Sequence, residues 1–417
     1  MTVRNFQCLP ALESLDLREN QLQSFKTRSA QHLRSLKLSK NRIENLDVSS
    51  FPALQLLYVD RNCLTTIHGL DACENIDTLS MREQTSTLDR TKPLTIALDL
   101  STPSALRKLY LSSNKLSFTI LSPPSPIPTL QFLDLASCCL DTVPHSFGTS
   151  FPNLKALNLN FNALSDISCL SGISRLSRLS LVGNRIARLR LTCSVLRDVG
   201  GRHGTLRKVD LRGNPITVGF YPAQVLGSGR GMRLSIEQAK SSSKSHDIIR
   251  TQPDVLPPLP DCADIIPRAG TTSALSSTAL TPHDPEEAEI EIDDPYTLPP
   301  ASPSSDKKYL ARLDESTALK RRVVELMVHA ATGGKLRVLD GLGVAETSAF
   351  VETETEGGSG NGKVRVRKDW VWKRLVELGV LKDRRRGGEG DNGGRGRGDG
   401  LGELDGEGVI SGEESEL

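Results

Sequence analysis

Leu154–Asn162 reads LKALNLNFN, and the pattern LxxLxLxxN returns as LRSLKLSKN at Leu33–Asn41, LRKLYLSSN at Leu106–Asn114 and LRKVDLRGN at Leu206–Asn214. Nine copies begin at Leu12, Leu33, Leu54, Ile76, Leu106, Leu130, Leu154, Leu176 and Leu206, most of them 21 to 24 residues apart. Leucines two residues apart, at the fourth and sixth positions, put one side of a short strand into a core. The asparagine at the ninth position turns inward, where its amide can pair backbone groups that a turn leaves without partners. Each unit touches its neighbours alone, so the pattern predicts a curved solenoid with strands stacked on its concave face.

This is the leucine-rich repeat. The expected fold class is α/β, a solenoid of about nine repeats with a C-terminal helical cap, plus a disordered linker and tail. Gln84 holds the ninth position of the fourth copy, and its extra methylene is expected to loosen that turn. Cys138 holds it in the sixth copy as a small buried thiol. Two intervals are long: 30 residues separate Gln84 from Asn114, and 30 separate Asn184 from Asn214. The second predicts a helix over Leu189–Val199 that Gly200-Gly201 ends. Ser122–Pro128, SPPSPIP, forbids helix and is expected to be extended. The first copy starts a dozen residues from Met1 with no visible polar cap, the appearance of a piece of a longer protein.

The sequence divides as 1–222 solenoid, 223–305 disordered linker rich in Ser, Pro, Gly and charge, 306–381 cap and helices, and 382–417 Gly-rich charged tail. In LDESTALKRRVVELMVHAATGG the apolar residues have helical spacing, started by Asp314 or Ser316 and stopped by Gly333-Gly334. Lys335–Val344, KLRVLDGLGV, reads as one more repeat strand, so the cap is split by the linker and folds back onto the last repeat. Asp369–Leu378, DWVWKRLVEL, reads as a further helix.

The composition fits a chain that is only partly globular. Of 417 residues, 37% are hydrophobic and 4% aromatic, with 34 glycines and 23 prolines unevenly spread. The 52 basic and 50 acidic residues leave a net charge of +2, which gives no reason to expect nucleic acid or membrane as partner. No run of eighteen apolar residues occurs. Eight scattered cysteines without a CxxC pair suit a reducing, cytoplasmic setting. No P-loop, GxSxG, HExxH or dinucleotide fingerprint occurs, so neither an enzyme nor a cofactor is expected. The Arg- and Gly-rich tail Arg384–Gly398 is read as a solvated segment.

Binding is therefore sought on the concave face, where the third, fifth and seventh positions of each repeat point outward. Leu56, Tyr58, Tyr110 and Phe132 are the apolar residues there and the expected anchors for a protein partner. The same columns offer Lys108, Arg178, Lys208 and Arg212, opposed by Asp134 and Asp210. Thr281-Pro282 and Ser302-Pro303 flank an acidic run and are expected phosphorylation sites. Lys320-Arg321-Arg322 is one candidate basic partner for such phosphates.

NLKALNLNFNALSDISCLSGISRLSRLSLVGNRIARLR with LRKVDLRGNPITVGFYP, and YLARLDESTALKRRVVELMVHAATGGKLRVLDGL followed by WVWKRLVELGVL, together resemble the fungal scaffold family of the septation-initiation and mitotic-exit networks, related to animal centriolin. The resemblance covers roughly 130–222 and 309–381 and implies a non-enzymatic scaffold of the cytoskeleton. Its implied address is the spindle pole body. Its implied partners are pole-body components and the network's GTPase or kinases. A generic intracellular adaptor, of the phosphatase-regulatory or tubulin-folding type, is the alternative.

Overall fold

The computed structural model describes residues 11–26, 30–86, 93–100, 105–201, 204–222, 296–344 and 376. One eleven-stranded sheet runs through them. Its first nine strands are the centres of the nine repeats. They are β1 Ser14–Asp16, β2 Ser35–Lys37, β3 Leu56–Tyr58, β4 Thr78–Ser80, β5 Lys108–Tyr110, β6 Phe132–Asp134, β7 Ala156–Asn158, β8 Arg178–Ser180 and β9 Lys208–Asp210. All pair in parallel with their neighbours, in one register. The middle residue of each strand faces the core, so Leu36, Leu57, Leu79, Leu109, Leu133, Leu157, Leu179 and Val209 form one buried stack. Each such side chain contributes roughly 1.5–3 kcal/mol of burial, which is what holds three-residue strands in place.

A second set of bonds fixes the turn after each strand. The N–H of the sixth position donates to the fifth-position carbonyl of the next repeat, as in Leu135 to Asn158 (2.9 Å) and Leu181 to Asp210 (2.9 Å). The ninth-position amide then clasps two repeats. Asn62 donates to the carbonyls of Leu38 and Val59 and accepts from the N–H of Ile43. Gln84 does not loosen its turn. Its Nε2 donates to the carbonyls of Val59 and Arg82, and its Oε1 accepts from the Leu64 N–H at 3.0 Å. The extra methylene moves one bond from the sixth- to the seventh-position carbonyl of its own repeat and leaves the clasp closed.

The helices are α1 Phe118–Leu121, α2 Phe147–Ser150, α3 Leu189–Leu196, α4 Pro303–Leu310 and α5 Glu315–Ala331. α3 ends three residues short of the expected Val199, because Arg197–Gly201 continues as a wider π turn. No helix occurs within Ser122–Pro128. α5 starts where the sequence places it: the Asp314 carboxylate accepts from the Thr317 N–H at 2.9 Å.

Residues 296–344 close the C-terminal end of the sheet. β10 (Val338–Leu339) pairs in parallel with β9, and β11 (Leu342–Gly343) folds back antiparallel on β10. The rung pattern ends in a substitution. Where earlier repeats offer a carbonyl, the Leu211 N–H meets Asp340 Oδ1 at 2.6 Å, and the other carboxylate oxygen accepts from Tyr221. α5 packs on α3 and on the turn Pro215–Thr217. The described residues resume at 296, so residues 296–305, which composition places in the linker, belong to this closure. The rest of the expected linker, the helix Asp369–Leu378 apart from residue 376, and the tail lie outside the described residues.

One buried cation ties these parts together. Arg321 is fully buried and bonds Asp306 (2.6 and 3.0 Å), Glu325 (2.8 Å) and the Phe220 carbonyl (2.8 Å), with its guanidinium 4.4 Å from the Tyr221 ring centre. It is therefore not available to phosphates, contrary to the expectation for Lys320-Arg321-Arg322.

His329 on α5 makes the closure pH-sensitive. Burial pushes its imidazole down to about 4. An unfolded histidine titrates near 6.5, so the unfolded chain takes up the proton first and stability falls as pH drops from about 6.5 to 4. Asp340 works in the opposite direction, because burial and Asp210 hold its carboxyl well above the usual range. Comparing wild type with His329→Gln isolates the histidine. Denaturant unfolding at pH 7 and pH 4 is expected to show an acid loss smaller by about 3 kcal/mol in the variant. Equal losses would contradict the assignment.

Candidate protein-docking surface

The concave face is unequal along its length. Over the first four repeats it forms a cleft of about 400 Å³, with Leu56 and Tyr58 half-buried in its floor and Arg18, Lys37, Arg61 and Glu19 among its walls. Burial pushes the Tyr58 phenol up. These two residues are placed as the sequence predicts.

Tyr110 is not an exposed anchor. It is 4% exposed, with its ring 4.7 Å from that of Phe132 and under the Arg82 guanidinium at 4.5 Å. Arg82 in turn pairs with the buried Asp134 at 3.0 Å, and Asp134 accepts from the Ser112 hydroxyl. Position five of a repeat does face outward, but an arginine from position seven of the previous repeat lies across it. Phe132 is half-buried as the edge of this cluster.

Arg212 is also corrected. It is 4% exposed, held by Asp210 at 2.6 Å, and it donates to the Pro299 carbonyl at 3.1 Å. Pro299 belongs to a segment that the sequence reading missed. Residues 296–301 cross the carboxyl ends of the strands. Tyr296 is 1% exposed; its hydroxyl donates to Glu83 at 2.7 Å and its carbonyl accepts from Asn160 at 2.8 Å. Farther along, the Ala301 N–H donates to the Gly341 carbonyl. The signal that could have found it is one tyrosine in a run of Pro and acid, too little to stand out. Among the described residues this strap covers one edge of the concave face and leaves the other open.

On the open edge Lys108, Phe132, Ala156, Arg178 and Lys208 lie in one lateral row, each register-paired with the next. Lys108, Arg178 and Lys208 are partly exposed. Ser302 is exposed at the N-cap of α4, its hydroxyl 3.1 Å from that of Ser304. Thr281 lies outside the described residues.

No cluster of metal-ligating side chains occurs among the described residues, and no described helix is long and apolar enough to cross a membrane. Cys63, Cys73, Cys138, Cys139, Cys169 and Cys193 are in no disulfide. Burial pushes the Cys73 and Cys169 thiols up to about 11 and that of Cys193 to about 12. Such thiols are packing groups and poor nucleophiles.

Fold and repeat pattern together define a leucine-rich-repeat protein. Residues 128–186 match a family model described as Leucine rich repeat, and residues 29–51 match a second model of that description. Over 177 residues the chain is 33% identical to the septation initiation network scaffold protein cdc11 of Schizosaccharomyces pombe. That match covers 42% of this chain and 16% of the yeast protein, so the chain spans a small part of its curated relative's length. Among solved structures, human 5T4 is similar at 17% identity and a TM-score of 0.40, covering 50% of this chain and 80% of that one. The leucine-rich-repeat protein LIC12759 of Leptospira interrogans is similar at 20% identity and a TM-score of 0.38, over 49% and 56%.

Proposed function

We propose that this chain is a non-enzymatic scaffold that docks proteins on its solenoid and couples mitotic exit to septation from the spindle pole body. The observation that carries the reading is the identity to a septation network scaffold over 177 residues, joined to a solenoid whose concave edge and cleft offer surface to a protein partner. The partners are pole-body proteins, among them the network's GTPase or kinases. No nucleic acid, membrane or cofactor takes part. Imaging a fluorescently tagged chain through mitosis tests this. A focus at the spindle poles, with septation defects on depletion, is expected. A diffuse signal throughout mitosis with normal septation would sink it and favour a general adaptor.

Regulation by phosphorylation belongs to the same proposal. Ser302 precedes a proline and is exposed, and Thr281 precedes another. A phosphate at either would add about −1.5 to −2 charges beside an acidic run. Phosphopeptide mapping in mitotic and interphase cells is expected to find both residues modified in mitosis. Both unmodified in both states would refute it.

A further inference from the structure

The open edge of the sheet has a charge pattern that composition hides. At the third position of the last five repeats stand Lys108, Phe132, Ala156, Arg178 and Lys208. The second position, one residue nearer the amino end of each strand, adds Arg107, Lys155 and Arg207, and the closing strand adds Arg337. The second-position residues are lateral neighbours too. Lys155 N–H donates to the Gln131 carbonyl, Ser177 to Lys155, Arg207 to Ser177 and Arg337 to Arg207. No acidic residue stands at either position from Arg107 to Arg337. The first four repeats differ: their second and third positions hold Glu13, Asp77 and a single base, Arg34.

The carboxylates of these last repeats are placed elsewhere. Asp134 and Asp210 sit at the fifth position and are engaged by Arg82 and Arg212. The strap 296–301 runs on that carboxyl side as well. The amino edge carries bases, Arg107 and Arg337 exposed and Lys108, Arg178, Arg207 and Lys208 partly so, of which Arg178 and Arg337 also make contacts of their own. Lys108 and Lys208 join no ion pair among the described residues. At its outer end Arg107 faces Asp77 at 3.6 Å, a loose, exposed contact.

We infer that this stripe is a docking site for an acidic, extended segment of a partner protein. Strands about 4.8 Å apart put Lys108 and Lys208 roughly 19 Å from each other, the reach of about six extended residues. Such a segment presents a side chain on one face about every 6.7 Å, so over that span it brings about three or four carboxylates above the row without matching the columns one to one. One exposed pair is worth little, and the specificity comes from the row acting together in a field of one sign. Phe132, in the middle, offers one apolar seat. A single-stranded nucleic acid fits less well, because its binding leans on several stacking aromatics and the stripe has one, already packed on Tyr110. The inference rests on the scaffold reading only in taking the partner to be a protein. It is tested in solution, so its failure is distinct from failure of the cellular role.

The experiment is fluorescence anisotropy of the full chain with a labelled peptide of about twelve residues alternating glutamate and valine. Binding is expected at about 50 mM salt and is expected to weaken at least tenfold by about 200 mM. Lys108→Glu/Arg178→Glu/Lys208→Glu is expected to lower affinity at least tenfold with an unchanged melting temperature. The matching glutamine triple guards against a folding loss. Lys115→Glu/Arg190→Glu, at exposed bases outside the eleven-stranded sheet, is expected to leave affinity within about twofold of wild type. No binding at low salt, equal binding of a glutamine–valine peptide, or unchanged affinity in both stripe triples would overturn the inference. So would tighter binding of a single-stranded oligonucleotide that the same triples abolish. A tenfold gain on deleting residues 282–295 would reassign the stripe to this chain's own acidic run.

Discussion

Replacing Arg321 by methionine is expected to cost about 3–5 kcal/mol of unfolding free energy, read from denaturant melts at pH 7. The side chain is 0% exposed, and its partners Asp306 and Glu325 have side chains 6% and 1% exposed. Methionine fills much of the volume but removes the guanidinium that the two carboxylates share in a dry site. Their desolvation is then uncompensated, which is why breaking one member of a buried network costs more than the network contributes. A triple variant, Arg321→Met/Asp306→Leu/Glu325→Leu, is expected to recover most of the loss. A loss below about 1 kcal/mol in the single variant would mean that the carboxylates reach water and that the closure is looser than described.

Asn162→Ala is expected to cost about 3–4 kcal/mol, the second large effect. Its Nδ2 donates to the carbonyls of Leu135 and Leu159 at 2.9 Å, and its Oδ1 accepts from the N–H groups of Cys138 and Leu140 at 3.0 and 3.1 Å. Alanine leaves four buried backbone groups to find other partners. An unmet buried donor or acceptor costs about 1–3 kcal/mol, and a water entering the gap offsets part of the sum. The sixth repeat makes the site sensitive, since Cys138 supplies only weak thiol contacts of 3.4 and 3.5 Å to the Leu111 and Ala136 carbonyls. A loss under 1 kcal/mol would show that the clasp is dispensable.

What the sequence makes legible follows from period. LxxLxLxxN states which residues are inside, so the nine strands, their register and the turn amides are readable from Leu12 to Asn214. Helix α5 is readable for the same reason, at a different period. The docking face is only half legible. The pattern says that Tyr58 and Tyr110 both point outward, but it cannot say that Arg82 lies over one of them, because that contact depends on the length and direction of a side chain from another repeat. The strap has no period to read: Tyr296–Ala301 is held by single bonds to Glu83, Asn160, Arg212 and Gly341, each far away in sequence. Lys108, Arg178 and Lys208 are found from the sequence as separate charges. Their second-position neighbours become one stripe only when the parallel register aligns the columns.

Residues on both sides of 223–295 form one folded body, and native-state hydrogen exchange of the full chain tests this most directly. The amides of Arg337 and Val338 donate to the Arg207 carbonyl and that of Asp340 to Val209, while the Leu181 amide donates to Asp210 within the repeats. If the closing strand is part of the solenoid, these amides open together, with one free energy and one denaturant slope. Exchange of Arg337, Val338 and Asp340 through a separate, much lower-energy opening, with Leu181 still protected, would contradict it.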